Sequence, residues 1–240
     1  MTLEELTAIR KDLDRFLKRF DGCIRTRPSR EHLRTYVGGQ IGRLARKSVE
    51  PMAARVAPGR VRAAHQSLHH FVAKADWSDG AVLGAVRAHV LPLIEQRGPV
   101  RGWMVDETGI PKKGTHSVGV KRQYCGALGK IANCQTLVSL TLARGEVPVM
   151  AAMRLFLPES WTNDRTRLKR AGVPVEYRAA RTKPEVALAE IDRVLAAGVR
   201  FGCVLADAGY GISAPFRQGL TARNIAFDFL GHQRRKRDLG

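Results

Sequence analysis

The hydrophobic period of the chain changes at Gly98-Pro99, and one layer architecture cannot accommodate what lies on both sides. Before this pair, apolar residues recur at helical spacing. Leu3, Leu6, Ile9, Leu13, Phe16, Leu17 and Phe20 share one face over residues 2–20, where Thr2 and Glu5 have capping-box spacing. Helical patterns continue through 30–46, 60–73 and 78–94, the last opened by Ser78 as N-cap and carrying Val82, Val86 and Val90 at every fourth position. After the break, short β-rich runs take over at 102–106, 118–125, 135–143 and 147–155. Thr182, Pro184 and Glu185 start a helix that runs to about Gly198. Residues 201–206 read as a strand, followed by a turn at Gly209 and Gly211, a helix near 215–223 and a strand at 225–230. The order β-β-β-β, α, β, α, β predicts an α/β fold. A helical region, residues 1–98, precedes a mixed-sheet domain, residues 99–240.

Charge points to the partner. Lys and Arg outnumber Asp and Glu by 41 to 22, a formal charge of +19, which suits a polyanion and most simply nucleic acid. Residues 1–100 hold 18 basic and 10 acidic side chains, so the excess is spread along the chain and both regions can face phosphates. The run Arg234-Arg235-Lys236-Arg237 reads as a solvated tail. Neither a leader-like apolar run nor a stretch of ~20 apolar residues occurs, so a cytoplasmic protein without a membrane partner is expected. Cys23, Cys125, Cys134 and Cys203 are scattered without metal-ligand spacing and read as reduced core thiols.

Two aspartates carry the most information. Asp106 follows Trp103-Met104-Val105 and Asp207 follows Val204-Leu205-Ala206, so each carboxylate stands where an apolar strand leaves the core. Glycine follows within three positions in both cases and is expected to turn the backbone and open the site. Alone, either Asp would serve as a turn cap. If the two strands are neighbours, their carboxylates converge at one sheet edge, where hard oxygen ligands suit Mg²⁺ or Mn²⁺ and phosphoryl chemistry.

Other candidates weigh less. His65 and His69 lie four apart on a helix but lack the Glu a zinc hydrolase places beside its first His. Ser160 sits in no nucleophile elbow, and no phosphate-binding Gly-rich loop with Lys occurs. Asp106-Glu107-Thr108 has Thr where a haloacid-dehalogenase-like phosphatase places its second Asp. Trp161, among Arg154, Arg165, Arg167, Lys169 and Arg170, reads either as a base-stacking ring in a DNA-binding loop or as a core anchor.

Seven segments together resemble one family. They are Lys47–Ala53, His65–Leu68, Met104–Gly109, Gly119–Cys134, Ala171–Pro174, Arg181–Glu185 and Leu205–Gly211. The chain resembles the DDE insertion-sequence transposases of bacteria, in the IS-four-like superfamily with a ribonuclease-H-like catalytic domain, over residues 1–223. The resemblance implies that Asp106 and Asp207 are the first two catalytic carboxylates and ligands of two Mg²⁺ or Mn²⁺ ions. It implies a DNA-binding role for residues 1–98, the element ends and target DNA as substrate, and association with itself or with full-length transposase. The family's third carboxylate is a Glu on a later helix, whereas no Glu follows Glu190 here. Asp228, in a strand, and Asp238, in the basic tail, do not fit that place. The expectation is a C-terminally truncated transposase with an incomplete ribonuclease-H-like sheet, inactive in strand cleavage by itself. The alternative is a non-catalytic DNA-binding protein or inhibitor derived from one.

Overall fold

A computed structural model of the chain describes residues 2–96, 98–144 and 147–230; the basic run at 234–237 and Asp238 lie outside the described residues. The chain packs as two units, Met1–Val86 and Arg87–Gly240.

The first unit is helical, as its periodicity predicts. Its helices are α1 (Leu3–Leu17), α2 (Arg27–Ile41), α3 (Val49–Val56) and α4 (Val61–Ala73), and α5 (Asp79–Glu95) begins in it. The Thr2–Glu5 capping box forms, with the Glu5 amide donating to Thr2 Oγ1 at 3.2 Å and the Thr2 amide to Glu5 Oε2 at 2.7 Å. Leu17 and Phe20 are buried, while Leu3, Leu6 and Ile9 on the same apolar face are exposed. α2 starts three residues before the expected position because Thr26 caps it, accepting from the Ser29 amide at 3.3 Å. α3 is too short for its periodicity to show in the sequence, yet Met52 and Ala53 on it pack with Leu68 of α4 in a core of their own.

The second unit is built on one sheet. Its strands are β1 (Gly102–Pro111), β2 (Lys121–Cys125), β3 (Lys130–Arg144), β4 (Val147–Leu155), β5 (Cys203–Asp207) and β6 (Ala226–Leu230). The order is β2-β3-β1-β5-β6, with β4 also paired to β3. β4, β3 and β1 are successively antiparallel, whereas β1, β5 and β6 run parallel. Read across as β4-β3-β1-β5-β6, this is the ribonuclease-H-like arrangement expected of the chain. Helices α6 (Glu159–Thr162), α7 (Arg165–Arg170), α8 (Lys183–Ala196), α9 (Ala208–Gly211) and α10 (Ala214–Ala222) complete it.

Register decides which face holds the core. Trp103 and Val105 pair with Leu142 and Leu140 on β3 and with Val204 and Ala206 on β5, so these six buried side chains share one face. Val186, Ile191 and Val194 of α8 and Phe216 and Leu220 of α10 complete the same core. Glu190 lies on the buried stripe of α8 and is 3% exposed. Arg154 Nη2 stands 2.7 Å from its Oε1, and Arg193 pairs with Oε2. A carboxylate in this position is tolerable because both oxygens meet guanidinium donors.

Replacing Glu190 by Gln leaves two half-buried guanidinium groups without their anion. It should lower unfolding free energy by about 3 kcal/mol. Glu31→Gln, which removes an exposed pair with Arg27, should cost less than about 0.5 kcal/mol. Urea denaturation of both variants checks the contrast.

Candidate active site

Asp106 and Asp207 are brought together by the parallel pairing of β1 and β5. The pairing runs from Gly102 opposite Cys203 to Val105 opposite Ala206, so the next position on each strand is an aspartate. Both carboxylates stand on the sheet face opposite Val105 and Ala206, and both are exposed. Asp106 Oδ1 accepts from the Glu107 amide at 2.7 Å, and Asp207 Oδ1 accepts from the Tyr210 amide at 3.1 Å as N-cap of α9. One oxygen of each carboxylate is thus held by a nearby backbone amide, and only Asp207 acts as a cap, because Asp106 lies inside β1. Among the described residues no hydrogen bond engages Oδ2 of either, which leaves it open to a ligand.

The surroundings of the two differ from the simplest sequence expectation. Asp106 does not end its strand: β1 continues to Pro111, and it is the burial pattern that stops at Asp106. Nor does Gly109 turn the chain. It lies inside β1, where a Cβ would come within 2.9 Å of Cys125 Sγ and 3.2 Å of Cys125 Cα, so glycine is required by the close approach of β2. After Asp207 the chain enters α9 directly, and a Cβ on Gly211 would meet the Phe229 ring at 2.9 Å. Small size, not an unusual turn, is what Gly109 and Gly211 supply.

An open cleft of about 550 Å³ surrounds the pair, lined also by Glu107, Lys183, Tyr124, Phe156 and Tyr210. Glu107 falls on the opposite sheet face from Asp106 and forms an ion pair with Lys183 at the start of α8. Tyr210 is 3% exposed, and its hydroxyl lies near the Glu107 carboxylate without a well-formed hydrogen bond. Burial, then the carboxylates of Glu107, Asp207 and Asp106, push this phenol well above its ordinary range. Three acidic side chains thus act on one buried phenol. Neither Glu107 nor Lys183 was singled out from the sequence as a site residue; 76 positions separate them.

The donor set suits a hard divalent cation, with two exposed carboxylates side by side. Among the described residues no group of three His, Cys, Asp or Glu gathers to hold an ion. His65 and His69 stack their rings at 6.1 Å on α4.

The six residues of the basic loop are divided by the fold. Trp161 is 1% exposed, donates from Nε1 to the Val120 carbonyl at 2.9 Å and packs with Leu168 and Val173. Of its two sequence readings, core anchor is the one found, and Arg167 covers the ring at 3.7 Å. Arg154 is drawn into the Glu190 pair and lies 4.1 Å over the Tyr177 ring. Arg165, Lys169 and Arg170 are exposed on α7.

Residues 19–229 match the model of the DDE superfamily endonuclease family. The chain belongs to that family. A curated relative, the probable transposase for insertion sequence element IS701 of Microchaete diplosiphon, is 34% identical over 175 residues, which are 73% of this chain and 41% of that protein. Family endonucleases typically use divalent metal ions, in keeping with the carboxylate pair on β1 and β5. No helix among the described residues is long and apolar enough to cross a membrane.

Trp161→Ala should cost about 3–5 kcal/mol in urea denaturation, as for a large buried aromatic. A change within about 0.5 kcal/mol would instead mark a solvent-facing ring.

Proposed function

We propose that the chain is the DNA-binding and partial catalytic portion of a transposase that cleaves and joins DNA strands with divalent metal. The observation that carries this reading is the register of β1 on β5, which sets Asp106 and Asp207 on one sheet face at neighbouring positions. Residues 1–98 act as a helical DNA-binding region and residues 99–240 as the catalytic domain.

Asp106 and Asp207 hold Mg²⁺ or Mn²⁺, two ions in the complete site. Such ions supply charge for making a nucleophile from water or a 3′-hydroxyl and for stabilising the leaving oxygen. The backbone amides of Glu107 and Tyr210 fix one oxygen of each ligand, so the carboxylates are oriented before metal arrives. The exposed Arg165, Lys169 and Arg170 of α7 contact DNA phosphates. Arg167 and Trp161 hold α7 against the core, and Arg154 anchors β4 to α8.

The family's third carboxylate has no counterpart among these residues after Asp207, because the last Glu is Glu190, whose oxygens are committed to Arg154 and Arg193. Strand cleavage in this reading needs a third carboxylate beside Asp106 and Asp207.

DNA affinity should fall about 10³-fold or more between 50 and 200 mM salt, as for a protein with six or more phosphate contacts. Asp106→Asn and Asp207→Asn, which each remove a negative charge from the cleft, should bind DNA at least as tightly as wild type in the same fluorescence-anisotropy titration. Salt-insensitive binding, or loss of DNA affinity in both folded variants, would overturn the reading.

A further inference from the structure

Lys183 is the one cation among the described residues lining the Asp106–Asp207 cleft. Its ammonium is paired with Glu107 and stands 5.6 Å from the centre of the Phe156 ring. The side chains of Lys183 and Glu107 remain 32% and 30% exposed. A half-buried pair of this kind helps to hold α8 on β1, but that reason does not account for its place in the lining of the cleft. The charge balance of the cleft is a stronger one. Asp106, Glu107 and Asp207 all line it, and three carboxylates repel an approaching phosphodiester. Among the described residues that line the cleft, Lys183 alone attracts one.

We propose that Lys183 is a DNA-phosphate contact of the active site, held ready by Glu107 and transferred to a backbone phosphate when DNA enters the cleft. This rests on the reading of the chain as a DNA-binding transposase portion. An ammonium carries three N–H donors on a flexible stem, so it can turn from a carboxylate to a phosphate without moving the backbone. One anion replaces another, and neither end of the exchange requires a dry ion. Glu107, once released, stays beside Tyr210 in the lining of the cleft. Glu107 thus acts as a positioning residue, keeping the lysine away from the two metal-binding aspartates until the substrate arrives.

The test is a salt titration of DNA affinity with the full chain and a mixed-sequence duplex, on wild type, Lys183→Ala, Lys183→Arg and Glu107→Gln. Removing one phosphate contact should make the slope of log K against log salt shallower by about 0.9 and weaken binding about eightfold at 0.1 M salt. Lys183→Ala should show both changes. Lys183→Arg should keep the wild-type slope, and Glu107→Gln should keep the slope and bind more tightly, because the lysine no longer leaves a partner. If Lys183→Ala keeps the wild-type slope, or if Glu107→Gln loses slope as Lys183→Ala does, the pair is only a structural contact and the proposal fails while the DNA reading stands. If wild type itself binds no DNA, the DNA reading fails and the proposal with it. A second readout does not depend on the variants folding. Duplex DNA should slow amine-reactive labelling of Lys183 in wild type several-fold, and an unchanged rate overturns the proposal.

Discussion

The parallel pairing of β1 with β5 is the constraint on which the site depends. A shift of one residue in that register would send Asp106 and Asp207 to opposite faces of the sheet. The core prevents this shift, because Trp103, Val105, Val204 and Ala206 are buried together and cannot exchange faces with Met104 and Leu205 without exposing an aromatic ring. α8 and α10 close over the same apolar side. Packing chosen for stability on one face thus fixes two carboxylates on the other, and the cost of slipping is borne by the hydrophobic core.

Much of this was legible from the residues, and the reasons are specific. Val204-Leu205-Ala206 and Trp103-Met104-Val105 are short apolar runs followed by an acid, which reads as a strand leaving a core. Asp207 fits that description. Asp106 does not, because backbone pairing with β3 continues beyond the last buried residue, and hydrogen bonding leaves no trace in hydrophobicity. The helices with clear periodicity or caps, α1, α4, α5 and α8, were predictable to within a few residues. α3, α6, α7 and α9 are short and were not.

The misses at the site are of a different kind. Lys183 and Glu107 meet only through tertiary packing, and nothing local joins them. Glu190 did carry a signal: it falls on the same helical stripe as Val186, Ala187, Ile191 and Val194, so burial was implied by spacing and partners had to exist. Leu168 and Val173, isolated apolar residues near a Trp in a basic segment, likewise pointed to a small core with Trp161 at its centre. Counting basic residues around an aromatic does not separate a DNA contact from a buried anchor. What the aromatic packs against does.

The central claim is that Asp106 and Asp207 form one divalent-cation site. Electron paramagnetic resonance titration with Mn²⁺ tests it most directly, since bound Mn²⁺ loses the six-line signal of the free ion. The account predicts saturable binding by wild type and its loss in both Asp106→Asn and Asp207→Asn, with circular dichroism unchanged. Equal Mn²⁺ binding by wild type and either variant would contradict it and leave a chain that holds DNA without a metal centre at these strands.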